Sequence, residues 1–536
     1  MFSLSKDLST VIEDSARGSF FLATGNVVAT VISALSVFIV ARLLGPQLYG
    51  VYTITLAVPS LLLIFTGFGI DEALTRFSAN LRIKGENQSL ARTIRLGVTL
   101  RAITGIAMFT VCYVFSDYLA AHVISRPEYG IYVRLASIVI LLQAILYSTS
   151  AVFVGLDRTE YSAIAANVQA IIKTVLAPLL IIAGFSVVGA ITGFTISCLA
   201  AGLLSAGLLF IKLYKPLKSE NPENPHIHNQ PRIHLKTMLK YGFPLYISTL
   251  LYGASTQLRT VVLSFFTLDL DIGNFKAATN FVTLMVALSG SIATALFPAF
   301  SKLDRNGIQA KTFFKITTKY TSMLLVPASV VLIIFSKELV KVVYGEAFLP
   351  ASLFLALYIT VYLLAGLGSL VQGSFFNGLG ETKTTLKMNL ASFVVFLGLA
   401  PLLTQAYNVP GLIIAILVSN LTATIFGAYK AKSNFGAEPE YALIFRIYLA
   451  AFASAVPPFF IAYIQLFPTL VTIFLGGFLY LLIYITILPI VGALSKLEIG
   501  NLQKTTENIR FLKHVVKPIL MYENKLISHT RERHTF

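Results

Sequence analysis

Charge is scarce in this chain. Asp, Glu, Lys and Arg make up 12% of its 536 residues, against about 25% in a soluble domain. With 56% hydrophobic residues and a mean hydropathy of +0.79, that scarcity excludes a soluble protein and leaves a polytopic membrane protein. Negative charge is scarcer still, with 24 Asp and Glu against 41 Lys and Arg. No carboxylate falls near the middle of a membrane-length apolar run: Asp71-Glu72 and Glu381 read as inner ends, Asp117, Asp269 and Asp271 as outer ends. Ion-driven pumps bind their ion at intramembrane carboxylates, so this gap argues against one. Tryptophan is absent, so any interfacial aromatic belt must be Tyr and Phe. Cys112 and Cys198 both sit in apolar runs and read as small buried hydrophobes, silent about redox compartment. There is no Walker A loop, no zinc-ligand spacing and no nucleophile elbow. The chain therefore reads as a protein that is not an enzyme and needs no cofactor or metal.

What is present is a repeat. Gly50 answers Gly273, Gly67 answers Gly290, and Phe77-Ser78 answers Phe300-Ser301, each 223 positions on. Gly155-Leu156 answers Gly378-Leu379, and Ala177-Pro178-Leu179-Leu180 answers Ala400-Pro401-Leu402-Leu403. Between these ends the register slips by three, pairing Phe115-Ser116 with Phe335-Ser336. A membrane-crossing helix needs about 20 mostly apolar residues. On that rule the chain offers about fourteen, near 19–41, 48–70, 93–116, 131–153, 161–184, 187–211, 239–266, 274–299, 317–336, 351–376, 384–405, 410–429, 443–466 and 469–493. The fold expected is all-α: an N-lobe of six helices over 1–213, a linker over 214–236, a C-lobe of six over 237–432, two extra helices over 433–493, and a basic tail over 494–536.

Basic residues set the orientation. With the N-terminus inside, the outer segments hold Arg42, Arg126, Arg134, Lys276, Lys337 and Lys341, while most of the 41 Lys and Arg fall in inner segments. Both termini are then cytoplasmic, and six helices per copy make the lobes parallel repeats. Residues 1–18 carry Asp7, Glu13 and Asp14 and no apolar core, so no cleavable signal is expected. The net charge of +17 is spread over short loops, which fits membrane topology and no nucleic-acid partner. The linker around Asn221-Pro222 carries His226, His228 and His234, read as solvated rather than metal-binding. The tail has apolar residues at helical spacing among basic ones and is read either as lying on the anionic inner leaflet or as partly disordered.

Polar residues inside the spans mark a candidate site. Helix 1 shows Asn26, Thr30 and Ser33; helix 7 shows Thr249, Gly253 and Thr256 in equivalent positions, each set on one helix face. The cations are sharper, because each costs about 2.5–3.5 kcal/mol at mid-membrane on insertion scales unless it reaches water or a partner. They are Lys173, with Gln169 one turn before it; Arg101 in helix 3; Arg259, one turn beyond Thr256; and Lys276, sharing a face with Asn280 and Thr283. None has a charged counterpart in the other copy: Lys173 maps to Phe396 and Arg259 to Ser36. A duplicated scaffold with unduplicated positive charge points to an anionic cargo. The competing readings are helix packing through small polar residues and snorkelling of the cations to a surface.

Ala41-Arg42-Leu43-Leu44-Gly45-Pro46 followed by Tyr49-Gly50-Val51-Tyr52, and Gly155-Leu156-Asp157-Arg158 leading into helix 5, resemble the polysaccharide biosynthesis (Wzx-type) flippases of the multidrug/oligosaccharidyl-lipid/polysaccharide (MOP) exporter superfamily. The resemblance covers essentially the whole chain. It implies two lobes in a V, alternating access, and translocation of an oligosaccharide linked to polyprenyl phosphate or pyrophosphate for surface polysaccharide or glycoprotein assembly. It also implies a cationic central cavity, carried here onto Arg101, Lys173, Arg259 and Lys276. The partners expected are that lipid-linked oligosaccharide, membrane lipids and glycosyltransferases of the same pathway, in the cell membrane. The alternative on the same fold is an ion-coupled multidrug exporter. A glycosyltransferase or polymerase would need a loop bearing catalytic acids, and a non-transporting scaffold stays open.

Overall fold

The computed structural model describes residues 2–219, 235–304, 307–494 and 522, with side chains from residue 30 onward apart from 218, 219 and 244. The linker histidines, the basic tail and the Asn26 side chain lie outside the described residues. Everything described is helix and short connection, as the apolar runs predict. The chain forms two compact units, 1–276 and 277–536.

In the first unit α1 (Phe2–Ile64) is two helices joined at Gly45, whose φ of 73° suits a residue without Cβ ahead of Pro46. After a break at Phe65–Gly69 come α2 (Ile70–Ile83), α3 (Asn87–Val114) and the short α4 (Ser116–His122) and α5 (Gly130–Ala136). Three long helices follow, α6 (Ile138–Gly155), α7 (Thr159–Leu180) and α8 (Ser186–Leu208), then the short α9 (Lys215–Ser219) and the long α10 (Leu235–Phe266). The core of this unit is built around Ile70, Leu74, Leu90, Ile94, Val152 and Phe153.

The second unit takes most of α11 (Asp269–Ser301), then α12 (Ile308–Ile334), α13 (Ser336–Tyr344), α14 (Pro350–Ile359), α15 (Ser369–Gly378), the long α16 (Thr382–Phe435), α17 (Tyr441–Ile464) and α18 (Thr469–Ile490). Phe300, Phe314, Phe375, Phe376 and Phe435 form an aromatic core, with the Phe300 and Phe375 rings edge-on at 5.4 Å. α17 and α18 dock on α12: the Tyr484 hydroxyl donates to the Met323 carbonyl at 3.0 Å, and the Tyr480 hydroxyl to the Ala451 carbonyl at 3.1 Å.

The repeat of the sequence is a repeat of geometry. Phe115 and Phe335 cap equivalent short helices with nearly the same backbone angles, −95°/18° and −94°/16°. A Cβ on Gly155 would lie 2.5 Å from the Thr75 carbonyl oxygen, and one on Gly378 2.5 Å from Phe300, so both copies use glycine to bring the same helices together.

Ten helical segments among the described residues are long and apolar enough to cross a membrane. Three of them hold more than one crossing's length and contain a backbone break: Thr30–Ile64 at Gly45, Thr159–Leu217 at Gly184, and Thr382–Phe435 at Tyr407-Asn408.

Asp71 stands in the first turn of α2: the chain breaks at Phe65–Gly69, where Phe68 and Gly69 take positive φ, and continues as α2 to a turn at Lys84–Glu86. The membrane-length segment before it ends at Ile64, and α3 returns antiparallel to bring Arg101 level with Asp71.

Candidate functional site

Arg101 is buried, with 3% of its surface exposed. Its guanidinium lies 3.1 Å from the Asp71 carboxylate and also donates to the Thr66 hydroxyl. Thr104 donates to the Thr66 carbonyl at 2.9 Å, fixing the broken stretch against α3. This cation is neutralised inside the bundle. It braces α3 against the break between α1 and α2.

Lys173 is differently placed. Its ammonium sits 4.9 Å from the centre of the Phe194 ring on α8, a cation–π contact. Among the described residues it has no acidic partner. It lies fourteen residues into α7, about 21 Å along the helix. Lys276, seven residues into α11, keeps an exposed side chain, and both lysines belong to the first unit.

Gln169, one turn before Lys173, is half-buried and donates to the Cys198 sulfur at 3.2 Å; Gln143 donates to the same atom at 3.3 Å. Cys198, fully buried, is therefore more than a small hydrophobe: it is the acceptor that locks two amides, while Cys112 keeps the plain apolar role. Nothing in the sequence marks that hub, because its members come from α6, α7 and α8.

α10 is tied down at both ends and accessible between them. Near its start a Cβ on Gly242 would lie 1.9 Å from the Gly69 carbonyl oxygen, so the two backbones touch. Tyr246 donates to the Ile64 carbonyl at 3.1 Å, and the Arg76 guanidinium sits 4.1 Å from the Tyr241 ring centre. At the far end the Arg126 guanidinium donates to the Ser264 and Thr267 carbonyls at 3.0 and 2.8 Å and pairs with Asp269 at 2.9 Å. Tyr129 donates to the other Asp269 oxygen. Beside this clamp Gly50 and Gly273 cross: a Cβ on Gly50 would meet the Asp269 carbonyl oxygen at 1.8 Å, and one on Gly273 the Pro46 carbonyl oxygen at 1.8 Å. Pro46 and Asp269 are themselves 223 apart, so the contact is two-fold symmetric, each copy offering the same glycine to the same carbonyl.

Between the clamps Thr249 and Thr256 are exposed, Arg259 is half-buried, and Tyr252, which the sequence reading passed over, is 68% exposed on the same face. Asn280 is half-buried and donates to the Tyr344 hydroxyl at 3.0 Å within the second unit. Among the described residues no group of three His, Cys, Asp or Glu side chains gathers in a way that could hold a metal ion.

Paired helical copies with cations and hydroxyls at membrane depth are the build of a multi-helix membrane transporter, and solved structures share the fold. A lipid II flippase, MurJ in an inward closed conformation, superposes with a TM-score of 0.69 at 15% identity, covering 87% of this chain and 98% of that one. An inward-facing multidrug resistance MATE transporter of the MOP superfamily gives 0.61 at 18%, covering 76% and 94%. The chain belongs to the polysaccharide biosynthesis protein family, which it matches over residues 15–304. Among its relatives are a probable low-salt glycan biosynthesis flippase, Agl15, of Haloferax volcanii, 22% identical over 91% of this chain and 98% of the relative. A putative O-antigen transporter of Shigella dysenteriae is 21% identical over 69% and 88%.

Proposed function

We propose that this protein is a flippase that carries a lipid-linked oligosaccharide, on polyprenyl phosphate or pyrophosphate, across the cell membrane by alternating access, for surface polysaccharide or glycoprotein assembly. The observation that carries this reading is Lys173: an ammonium group about 21 Å along a membrane-length helix, resting on the Phe194 ring with no acidic partner among the described residues. Such a cation is stabilised by an anion brought beside it. A phosphate or pyrophosphate is such an anion, and Lys276, exposed on α11, would serve with Lys173. Thr249, Thr256, Arg259 and Gln169 would serve the sugars and the remaining phosphate oxygens, and the lipid tail would stay in the bilayer. Family membership and relatives named as a glycan biosynthesis flippase and an O-antigen transporter support the same cargo. Both termini are assigned to the cytoplasm, on the bias of basic residues toward one side.

For the ion-coupled exporter the candidate carboxylate is Asp71, beside Arg101. Its ion pair with Arg101 counts against it, because a proton or sodium site must give up its counter-charge to load. Reconstitution into liposomes with a fluorescent lipid-linked oligosaccharide separates the readings. The flippase gives protein-dependent exchange between leaflets. Efflux of organic cations without such exchange would contradict it.

A further inference from the structure

The apolar run over 351–376 is expected to be one helix, and the structure breaks it. α14 ends at Ile359, the backbone continues as a 3₁₀ helix over Thr360–Leu367, and Gly368 takes a φ of 80° before α15 starts at Ser369. A 3₁₀ run longer than three or four residues is uncommon, and this one holds eight. The first copy has no such stretch: the corresponding residues lie in α6, which is α-helical from end to end.

The cause is a side chain set into the backbone ladder. The Gly366 N–H donates to the Tyr448 hydroxyl at 3.2 Å, and that hydroxyl donates to the Leu363 carbonyl. These are the two backbone groups that a 3₁₀ hydrogen bond would join directly, so Tyr448 stands between them. Its ring fits because residue 366 has no side chain: a Cβ there would lie 2.6 Å from the Tyr448 hydroxyl and from a carbon of its ring. Tyr448 comes from α17, one of the two helices beyond the repeat, so the first copy has nothing to play this part.

Next to the wedge, polar atoms lack partners. Gln372 is fully buried, and its amide donates to the Leu367 and Thr424 carbonyls at 3.1 Å each, yet its side-chain oxygen accepts no hydrogen bond. The fully buried Thr318 hydroxyl, beside Gly368, is also without a hydrogen bond. Buried polar atoms left unpaired cost free energy, which a rearranged segment can recover.

We propose that Thr360–Leu367 is a hinge of the second unit and that Tyr448 is the wedge that holds it unwound. With the wedge withdrawn, the Gly366 N–H and the Leu363 carbonyl take α-helical partners. Each residue that winds from 3₁₀ to α shortens the helix by about 0.5 Å and changes its turn by about 20°. Eight such residues draw α14 toward α15 by about 4 Å. The proposal goes beyond the flippase reading, because the hinge serves the opening motion whatever the cargo.

The test is a distance. Leu353 on α14 is exposed, Gly373 on α15 has open space around its Cα, and Cys112 and Cys198 are buried. Nitroxide labels on Leu353→Cys and Gly373→Cys therefore span the segment in the full-length protein in nanodiscs. Pulsed electron resonance should give a distance shorter by about 2–4 Å in Tyr448→Phe, which keeps the ring and removes the hydroxyl. Gly366→Ala, whose methyl group expels the ring, should give the same shortening and decides the matter if Tyr448→Phe does not fold. Initial rates of lipid-linked oligosaccharide exchange by the unlabelled variants should fall severalfold, because a hinge that no longer unwinds stalls the cycle. An unchanged distance overturns the hinge. A shortened distance with an unchanged rate overturns its part in transport. Absence of exchange by the unaltered protein contradicts the flippase reading, and the distance then still decides the hinge.

Discussion

Lys173 and Arg101 look alike in the sequence, each a lone cation in an apolar run, and the structure gives them opposite situations. Arg101 is sealed against Asp71; Lys173 rests on an aromatic face with no acidic partner among the described residues. The difference turns on a carboxylate thirty residues earlier in the chain, which a break in the backbone carries to the level of Arg101. That is why the sequence could flag the cations and not sort them. Removing one partner of a buried ion pair costs about 3–5 kcal/mol, more than the pair is worth against an apolar replacement. Asp71→Leu and Arg101→Leu should each lower the thermal unfolding midpoint in detergent clearly, and the double variant should recover part of the loss. Additive losses would mean the two residues do not act as a pair. Lys173→Ala should instead leave the midpoint nearly unchanged and slow lipid-linked oligosaccharide exchange by roughly ten- to a hundredfold, the worth of one charge-assisted hydrogen bond. Lys173→Arg should retain part of the rate, because the charge survives.

At the scale of the helix, what was legible was what local chemistry decides. Gly45-Pro46 marks a break in the sequence, and a break is there. The repeated Phe-Ser and Gly-Leu positions mark equivalent helix ends, and they share backbone angles or close contacts. What was not legible depends on a neighbour. The crossing of Gly69 with Gly242 joins residues from different helices and has no counterpart in the register of the repeat. Gly242→Val adds atoms where the facing backbone already stands, and overpacking of this kind costs about 1–3 kcal/mol. The expected result is a lower unfolding midpoint than that of Gly373→Ala, a glycine on α15 with open space around its Cα. The Arg126 clamp belongs to the same scale. Its donors hold the carbonyl end of α10 and the start of α11, so Arg126→Ala should loosen that end. Thr256→Cys in the otherwise unreactive background of buried Cys112 and Cys198 reports on it. Labelling from outside by a membrane-impermeant maleimide should rise severalfold when Arg126 is replaced, and an unchanged rate would remove the clamp from the opening motion.

For the molecule as a whole, composition alone gave the class, because a charge fraction of 12% and long apolar runs leave no soluble option. The repeat gave the equivalent helix ends, and the family match gives the chain a lineage. The cargo is the part that must be tested by transport. The central claim is that two lysines at membrane depth carry an anionic, lipid-linked headgroup between leaflets. The most direct measurement is the initial rate of exchange of a fluorescent polyprenyl-diphosphate oligosaccharide in proteoliposomes, with the unaltered protein and with Lys173→Ala/Lys276→Ala at equal incorporation. The account predicts exchange well above protein-free vesicles that falls close to background in the double variant. Equal rates for the two proteins, or no exchange by either, would contradict it.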